Sequence, residues 1–83
     1  MKISVKYFAS IRETIGVPGE LVETRATTLL GLRDELIARG GVHMEGLARG
    51  RAVRVALDQV MSDEAAALAE GMEVAFFPPV TGG

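Results

Sequence analysis

The sequence predicts an α+β domain in which a single β-sheet packs against one main helix. Three segments carry this prediction: an alternating apolar pattern over residues 2–8, a helical pattern over residues 28–39 and a second alternating pattern over residues 72–77. The chain has 83 residues, which is room for one small domain with one core. Its hydrophobic share of 48% and charged share of 24% are typical of globular proteins, so the chain is expected to fold unaided.

The first strand is predicted over residues 2–8, because Ile3, Val5 and Tyr7 project to one face and alternate with polar residues. A short helix should follow, with Ser10 and Glu13 forming a capping box at its start and Gly16 ending it in a left-handed conformation. Residues 17–20 fit a type II turn in which Gly19 supplies the positive φ. A weakly patterned second strand is predicted over residues 20–25.

The main helix is predicted from Thr28 to Arg39, with Thr27 or Thr28 as the N-cap and a glycine pair at 40–41 as its end. Apolar residues follow helical spacing at Leu29, Leu30, Leu32, Leu36 and Ile37. The side chains predicted to meet in the core are Leu29, Leu32 and Leu36 from the helix and Ile3, Val5, Val55 and Val74 from the strands.

The second half of the chain is predicted to be mostly strands and loops. A loop with at most one helical turn is predicted over residues 42–50, and the third strand over residues 53–58. Residues 59–62 are expected either to continue that strand or to pair with it. One helical turn is expected within residues 63–70. The last strand, over residues 72–77, should lie parallel and adjacent to the first at the centre of the sheet, because both are strongly apolar.

Composition excludes several kinds of function. The chain has no cysteine and one histidine, so it offers no disulfide, no thiolate nucleophile and no set of ligands for a zinc or multi-histidine metal site. Its formal net charge of −2 argues against nucleic acid as a partner. No signal peptide or membrane-spanning run is apparent, and a cytoplasmic location without membrane attachment is expected.

The most informative segment is the ending FFPPVTGG. Pro78 and Pro79 should lead the chain away from the sheet, giving a domain over residues 1–77 and an extended, flexible tail over residues 78–83. Gly82 and Gly83 have no Cβ atoms and could thread a narrow channel, so Val80 to Gly83 would act as a probe for another protein's active site. Adenylation would activate the Gly83 carboxylate. Attack by a sulfur donor would then form a thiocarboxylate, whereas attack by an amine would form an isopeptide.

These residues resemble a known family, the small sulfur-carrying subunit of molybdopterin synthase, a relative of ubiquitin with the β-grasp fold. The resemblance rests on FFPPVTGG, on EGMEVAFF leading into it, and on KYFASIRE following ISV near the start. Ubiquitin-like modifiers share the glycine pair but lack the preceding FFPP, and thiazole-forming sulfur carriers usually lack it too. The resemblance therefore covers both ends of the chain and implies a β-grasp sheet packed on one main helix.

The resemblance also implies a reaction cycle and its partners. An adenylating, E1-like enzyme would activate Gly83 with ATP, and a sulfurtransferase would deliver sulfur. The thiocarboxylated tail, comprising Pro78, Pro79, Val80, Thr81, Gly82 and Gly83, would then enter the large synthase subunit, within a heterotetramer, and supply dithiolene sulfur to the pterin precursor. This chain would bind no cofactor or metal and contribute no catalytic acid or base.

Three further residues match positions that the family uses to contact its partner: Phe77, Met61 and Arg12. Ordinary sheet packing for Phe77 and a solvated Arg12 are the alternatives. A carrier for another thiolation pathway, a protein-conjugating modifier and a passive interaction module also remain open. His43 is expected to be a loop histidine without a role.

The sequence also contains two clusters of charged residues. Residues 33–35, which are Arg-Asp-Glu, are expected on the solvated side of the main helix. Arg49, Arg51 and Arg54 would form a small basic patch without an assigned function.

Overall fold

The computed structural model describes residues 1–79 and shows five strands and three helices within them. In chain order the elements are β1 (Lys2–Tyr7), α1 (Ala9–Ile15), β2 (Gly19–Glu23), α2 (Leu29–Ala38), α3 (Gly41–Leu47), β3 (Arg54–Leu57), β4 (Val60–Ser62) and β5 (Glu73–Phe77). None of the helices in this part of the chain has the length and apolar character needed to cross a membrane.

The five strands form one mixed sheet in the order β2-β1-β5-β3-β4. The first and last strands are adjacent and parallel, with Val5 opposite Val74 and Tyr7 opposite Phe76, whereas the other neighbours are antiparallel. The predicted central pair is therefore confirmed. Residues 59–62 pair with the third strand rather than extend it: β3 and β4 form a hairpin whose turn residues, Asp58 and Gln59, both have positive φ.

The core lies between one face of the sheet and the helices. Its fully buried side chains are Ile3, Val5, Tyr7, Leu29, Leu32, Leu36, Leu47, Val74 and Phe76, and Val55 is also buried. Every predicted contact of the main helix thus lies in the core cluster. Thr28 is the N-cap of α2, because its Oγ1 accepts a hydrogen bond from the backbone N–H of Gly31.

The start of the first helix differs from the prediction. The helix begins at Ala9, so Ser10 lies inside it, and its N-cap, Phe8, makes no side-chain cap hydrogen bond. The backbone carbonyl of Phe8 instead accepts bonds from the N–H groups of Ile11 and Arg12. The predicted capping box is therefore wrong, whereas the predicted end is confirmed by Gly16 at φ 94°.

Gly19 is also used differently from the prediction. It is the first residue of β2, opposite Lys6, and it does not have the positive φ of a type II turn. A Cβ atom at this position would lie 2.6 Å from the carbonyl oxygen of Val5, well inside a normal contact. Gly19 is therefore required for the close approach of two strands rather than for a turn.

Residues 41–47 form α3, where a loop with at most one helical turn was predicted. Two features that depend on the tertiary structure explain the difference. Leu47 is fully buried, and Gly46 fits against Ile15 so closely that a Cβ atom would lie 3.1 Å from that side chain. Because the segment has little helical periodicity of its own, these contacts with α1 and the core hold it in place.

Residues 63–70 form no helix. A hydrogen-bonded turn joins Asp63 to Ala66, and the following residues run along the start of α2. There the carbonyls of Glu64 and Ala66 accept bonds from the N–H groups of Leu30 and Leu29. These N–H groups have no partner within α2, since they lie in its first turn. The backbone of residues 64–66 is therefore used to complete another helix instead of forming its own.

Candidate functional site: the outer face of the sheet

The face of the sheet opposite the helices, named the outer face, carries two of the three residues predicted to contact a partner, Phe77 and Met61. The third, Arg12, lies on α1. Because paired residues project to the same side of a sheet, the register places on the outer face Lys2, Ser4, Lys6, Gly19, Leu21, Glu23, Arg54, Ala56, Met61, Glu73, Ala75 and Phe77.

Phe77 is the last residue of β5, a central strand, and lies opposite Arg54 of β3. Its neighbour Phe76 is fully buried on the inner face, whereas Phe77 is partly exposed. Because side chains alternate along the strand, Phe76 packs in the core and Phe77 lies on the outer face. This is the orientation that the sequence predicts.

Met61 lies on the short edge strand β4, opposite Ala56, and its side chain is 55% exposed. Ala56 is in turn opposite Ala75 of β5. Two small side chains, those of Ala56 and Ala75, therefore lie between Met61 on β4 and Lys6 on β1.

Arg12 lies on α1, at the other side of the sheet from Met61. It lines an open groove of about 530 Å³ beside β1 and β2, together with Lys6, Phe8, Gly19 and Leu21. Within residues 1–79 its side chain makes no hydrogen bond or ion pair. The structure thus places Phe77 at the middle, Met61 at one edge and Arg12 at the other, rather than in a single pocket.

The sequence pattern did not identify two exposed apolar residues of this groove, Phe8 and Leu21. Phe8 is 45% exposed and Leu21 is 75% exposed. Leu21 could have been identified because it alternates with Val22, a buried residue of the same strand. The outer face therefore presents exposed apolar side chains at both edges, which is typical of an interaction surface.

Pro78 and Pro79 follow the end of β5 and belong to neither a strand nor a helix. The backbone carbonyl of Phe76, just before them, accepts a hydrogen bond from the N–H of Phe8. The tail therefore begins at the end of the sheet where β1 also ends and α1 starts. The predicted tail residues Val80, Thr81, Gly82 and Gly83 lie outside the described residues.

A cluster of polar side chains around Glu20 was not predicted. The Glu20 carboxylate accepts hydrogen bonds from the Tyr7 hydroxyl at 2.8 Å and from Arg39 Nη1 at 2.9 Å, and lies 2.7 Å from His43 Nε2. The His43 ring also packs edge-on against Tyr7, with 6.3 Å between centroids. The expectation that His43 is a loop residue without a role is wrong, because it lies on α3 and joins this helix to β1 and β2.

The surroundings of Glu20 and Tyr7 lower the pKa of Glu20 and raise the pKa of Tyr7. Burial raises the pKa of Glu20, but hydrogen bonds from His43, Tyr7 and Arg39 outweigh burial and bring the pKa below its usual value. Burial, reinforced by the hydrogen bond to Glu20 and by its negative charge, raises the pKa of Tyr7. The cluster therefore stays charged at Glu20 and neutral at Tyr7 near pH 7.

The charged cluster at residues 33–35 is not a uniformly solvated face. Arg33 is buried, with 4% of its surface exposed, and its guanidinium donates to the carbonyls of Leu47 and Ala48 and pairs with Glu64 at 3.1 Å. Hydrogen bonding of every nitrogen makes burial of this charge possible. Arg33 thus fixes the end of α3, and the expectation of an exposed Arg33 is wrong.

Arg49 does not form a basic patch with Arg51 and Arg54. It pairs with Asp34 at 2.6 Å and also with Glu64. These two carboxylates neutralise its charge. Across the described part of the chain, no three histidine, cysteine, aspartate or glutamate residues are placed to hold a metal ion.

Comparison with known proteins agrees with this architecture. The sequence model of the ThiS family matches residues 5–83. The chain belongs to the ThiS family. Two relatives, the molybdopterin synthase sulfur carrier subunits of Haemophilus influenzae and Escherichia coli, are 37% and 36% identical to it over 81 residues, which cover 98% of this chain and 99% of each relative. The resemblance found in the sequence is therefore confirmed.

Solved structures of similar proteins confirm the β-grasp fold expected for this ThiS family member. SAMP1 from Haloferax volcanii superposes with a TM-score of 0.78 at 25% identity, with both chains covered completely. A chain from the complex of subunits 1 and 2 of molybdopterin-converting factor from Helicobacter pylori gives a TM-score of 0.69 at 26% identity, again with complete coverage of both chains.

Proposed function

We propose that this chain is the sulfur carrier subunit of a molybdopterin synthase and acts in molybdenum cofactor biosynthesis. The observation that carries the proposal is the 36–37% identity to two sulfur carrier subunits over nearly the whole length of all three chains. The ending FFPPVTGG supports it further, because the glycine pair follows a strand and two prolines. The sulfur would be carried on the tail rather than on a side chain, since the chain has no cysteine.

The chemistry proposed for the tail begins with activation of Gly83. A carboxylate oxygen of Gly83 attacks the α-phosphate of ATP on an E1-like enzyme, which forms an acyl adenylate and releases pyrophosphate. A persulfide sulfur of the sulfurtransferase then attacks the acyl carbon and displaces AMP, which gives an acyl disulfide. A thiol of the sulfur-donor system attacks the sulfur that belongs to the sulfurtransferase, so the S–S bond breaks, a new disulfide forms and the thiocarboxylate leaves. The thiocarboxylate sulfur then displaces an oxygen substituent of the pterin precursor, and water hydrolyses the resulting thioester, which leaves the sulfur on the pterin and returns Gly83 to a carboxylate. The acid, base and binding groups for these steps belong to the partners.

The outer face is the proposed docking surface for the large subunit. Phe77 is the last residue of β5 and directly precedes the tail. A partner that contacts Phe77 would therefore also lie close to the start of the tail. Met61 adds an adaptable apolar contact at one edge, and Arg12 adds a cation suited to a carboxylate at the other. The Helicobacter pylori structure, a complex of two subunits of molybdopterin-converting factor, supports a large-subunit partner. A heterotetramer of two large and two small subunits is the proposed assembly.

A protein-conjugating modifier is the second candidate function. It is favoured by the complete overlap with SAMP1, which a related structure describes as small archaeal modifier protein 1. In that case the activated Gly83 would be attacked by a lysine amine, with release of AMP and formation of an isopeptide bond. The tail and the outer face would serve both functions equally, so only the nucleophile distinguishes them.

Mass spectrometry after incubation with the adenylating enzyme, ATP and a sulfur source separates these functions. A sulfur carrier should show replacement of one oxygen by sulfur, localised to the C-terminal peptide. A modifier should appear as an adduct on lysines of other proteins. An unchanged chain that still binds the large subunit would contradict both and leave a passive interaction module.

A further inference from the structure

The methionines are the only side chains of this protein that contain sulfur. The chain has four of them and no cysteine. Thioethers are oxidised by peroxides to sulfoxides, at rates that follow their exposure. The four positions differ in both exposure and role, so oxidation should not affect them equally.

Met61 combines exposure with a place on the outer face. Its side chain is 55% exposed on the edge strand β4, and the residue paired with it is Ala56, whose methyl group cannot cover it. The two residues that precede and follow it on β4 are Val60, which is itself exposed, and Ser62. Water and small oxidants therefore reach the Met61 thioether directly.

The other methionines provide an internal comparison. Met1 and Met72 are partly buried and pack against the core, and the Met72 Sδ atom also accepts a hydrogen bond from the N–H of Ala69 at 3.2 Å. Met44 is 50% exposed, but it lies on α3, on the helical side of the molecule. Met61 is thus the exposed methionine of the docking surface, and Met44 is an exposed methionine away from it.

We propose that Met61 is an oxidation site through which peroxide weakens docking of the large subunit. This inference rests on the proposed function, because it requires the outer face to bind that subunit. In the reaction the thioether sulfur attacks one peroxide oxygen, the O–O bond breaks and an S–O bond forms. The sulfur loses two electrons, the peroxide gains them, and water leaves as the second product.

The effect on docking follows from the change in polarity. An apolar, flexible thioether becomes a polar sulfoxide, which must lose bound water when the partner covers it. Without a hydrogen-bond donor opposite it, a buried polar group weakens binding by about ten- to a hundredfold. We therefore expect at least about tenfold weaker binding of the large subunit, which corresponds to about 1.4 kcal/mol.

The first test measures the order of oxidation in the full chain alone. The protein is treated with hydrogen peroxide for increasing times, and the peptides containing each methionine are quantified by mass spectrometry. Met61 should oxidise at least as fast as Met44 and clearly faster than Met72. Peptide mapping is essential, because oxidation and thiocarboxylation change the intact mass by nearly the same amount. Slower oxidation of Met61 than of Met72 would contradict the proposal.

The second test measures the dissociation constant of the large subunit before and after peroxide treatment of the small chain. The wild type should lose affinity at least about tenfold and regain it after treatment with methionine sulfoxide reductases. Met61→Leu has no thioether at this position, so its affinity should be the same before and after peroxide. Met44→Leu is the matched control and should respond like the wild type.

Each outcome of the second test has one meaning. Equal loss of affinity in Met61→Leu, or full affinity of the oxidised wild type, would overturn the proposal. A failure of the untreated wild type to bind the large subunit would contradict the proposed function itself. The two failures are distinguishable because the untreated protein is measured first.

Discussion

The inner and outer faces of the same sheet differ in what their side chains do. On the inner face Val5, Val74 and Phe76 are fully buried beneath the helices and account for stability. On the outer face Leu21 and Met61 remain exposed, which costs solubility unless another protein covers them. The difference indicates that this small domain stabilises itself with one face and keeps the other for partners, with the tail starting between the two.

The strongest way to sharpen this comparison is to remove residues 82 and 83. Within residues 1–79, the part of the chain that the structure describes, the sheet ends at Phe77 and the core cluster ends at Phe76, so thermal unfolding should be unchanged. Sulfur transfer should be abolished, because the carboxylate would lie two residues, or about 7 Å, short of its site. Mass spectrometry of the thiolated product tests the expected loss of sulfur transfer, and a melting curve tests the expected unchanged stability. Residual transfer by the shortened chain would contradict the carrier mechanism.

A substitution on the inner face should instead lower the stability of the fold. Leu36→Ala removes a fully buried side chain from the main helix and should lower the free energy of unfolding by about 2–5 kcal/mol. Leu30→Ala on the same helix, where Leu30 is 45% exposed, should lower it by about 1 kcal/mol or less. Urea unfolding of both variants measures the difference. Equal losses would show that exposure on α2 does not predict stability.

Phe77→Ala tests the outer face. As an aromatic contact beside the tail, Phe77 should contribute about 2 kcal/mol to binding of the large subunit, or about thirtyfold in affinity. Titration calorimetry measures the loss, and circular dichroism checks that the variant is folded. Val42→Ala, at an exposed residue of α3, should bind like the wild type. A folded Phe77→Ala variant with unchanged affinity would make Phe77 an ordinary packing residue.

The smallest effect is expected at Glu20, which lies opposite Val5 at the β2 edge of the inner face. Its pKa is lower in the folded protein than its ordinary value of 4.5, so its charged form stabilises the fold above that pH, and this contribution is lost as the pH falls through the folded value. Glu20→Gln should therefore melt at a lower temperature than the wild type at pH 7, and the gap should narrow below pH 4.5. Glu45→Gln, an exposed site on α3, is the control; a gap that does not change with pH would contradict a role for the charge.

Much of the fold could be predicted because its signals are local. Alternation in residues 2–8 and 72–77 identifies two strands from side-chain pattern alone, and Leu29, Leu32 and Leu36 identify α2. The orientation of Phe77 followed from the same alternation. These predictions hold because a period of two or 3.6 residues fixes which side chains share a face before any tertiary contact forms.

Other features required the tertiary structure. Nothing near His43 in the sequence indicates that Glu20 lies 2.7 Å from it, because 23 residues separate them. Gly19 is required by the nearby carbonyl of Val5. The carbonyls of Glu64 and Ala66 accept hydrogen bonds from the first N–H groups of α2, a use that the pattern of residues 63–70 does not indicate.

The sequence by itself therefore determined the two central strands, the main helix, the composition of the tail and the family. The tertiary structure decided α3, the buried position of Arg33 and the cluster around Glu20. The physical reason is that unpaired backbone groups and buried charges must find hydrogen-bond partners wherever the fold brings them. Those partners are set by distance in space, which a pattern of neighbouring residues does not contain.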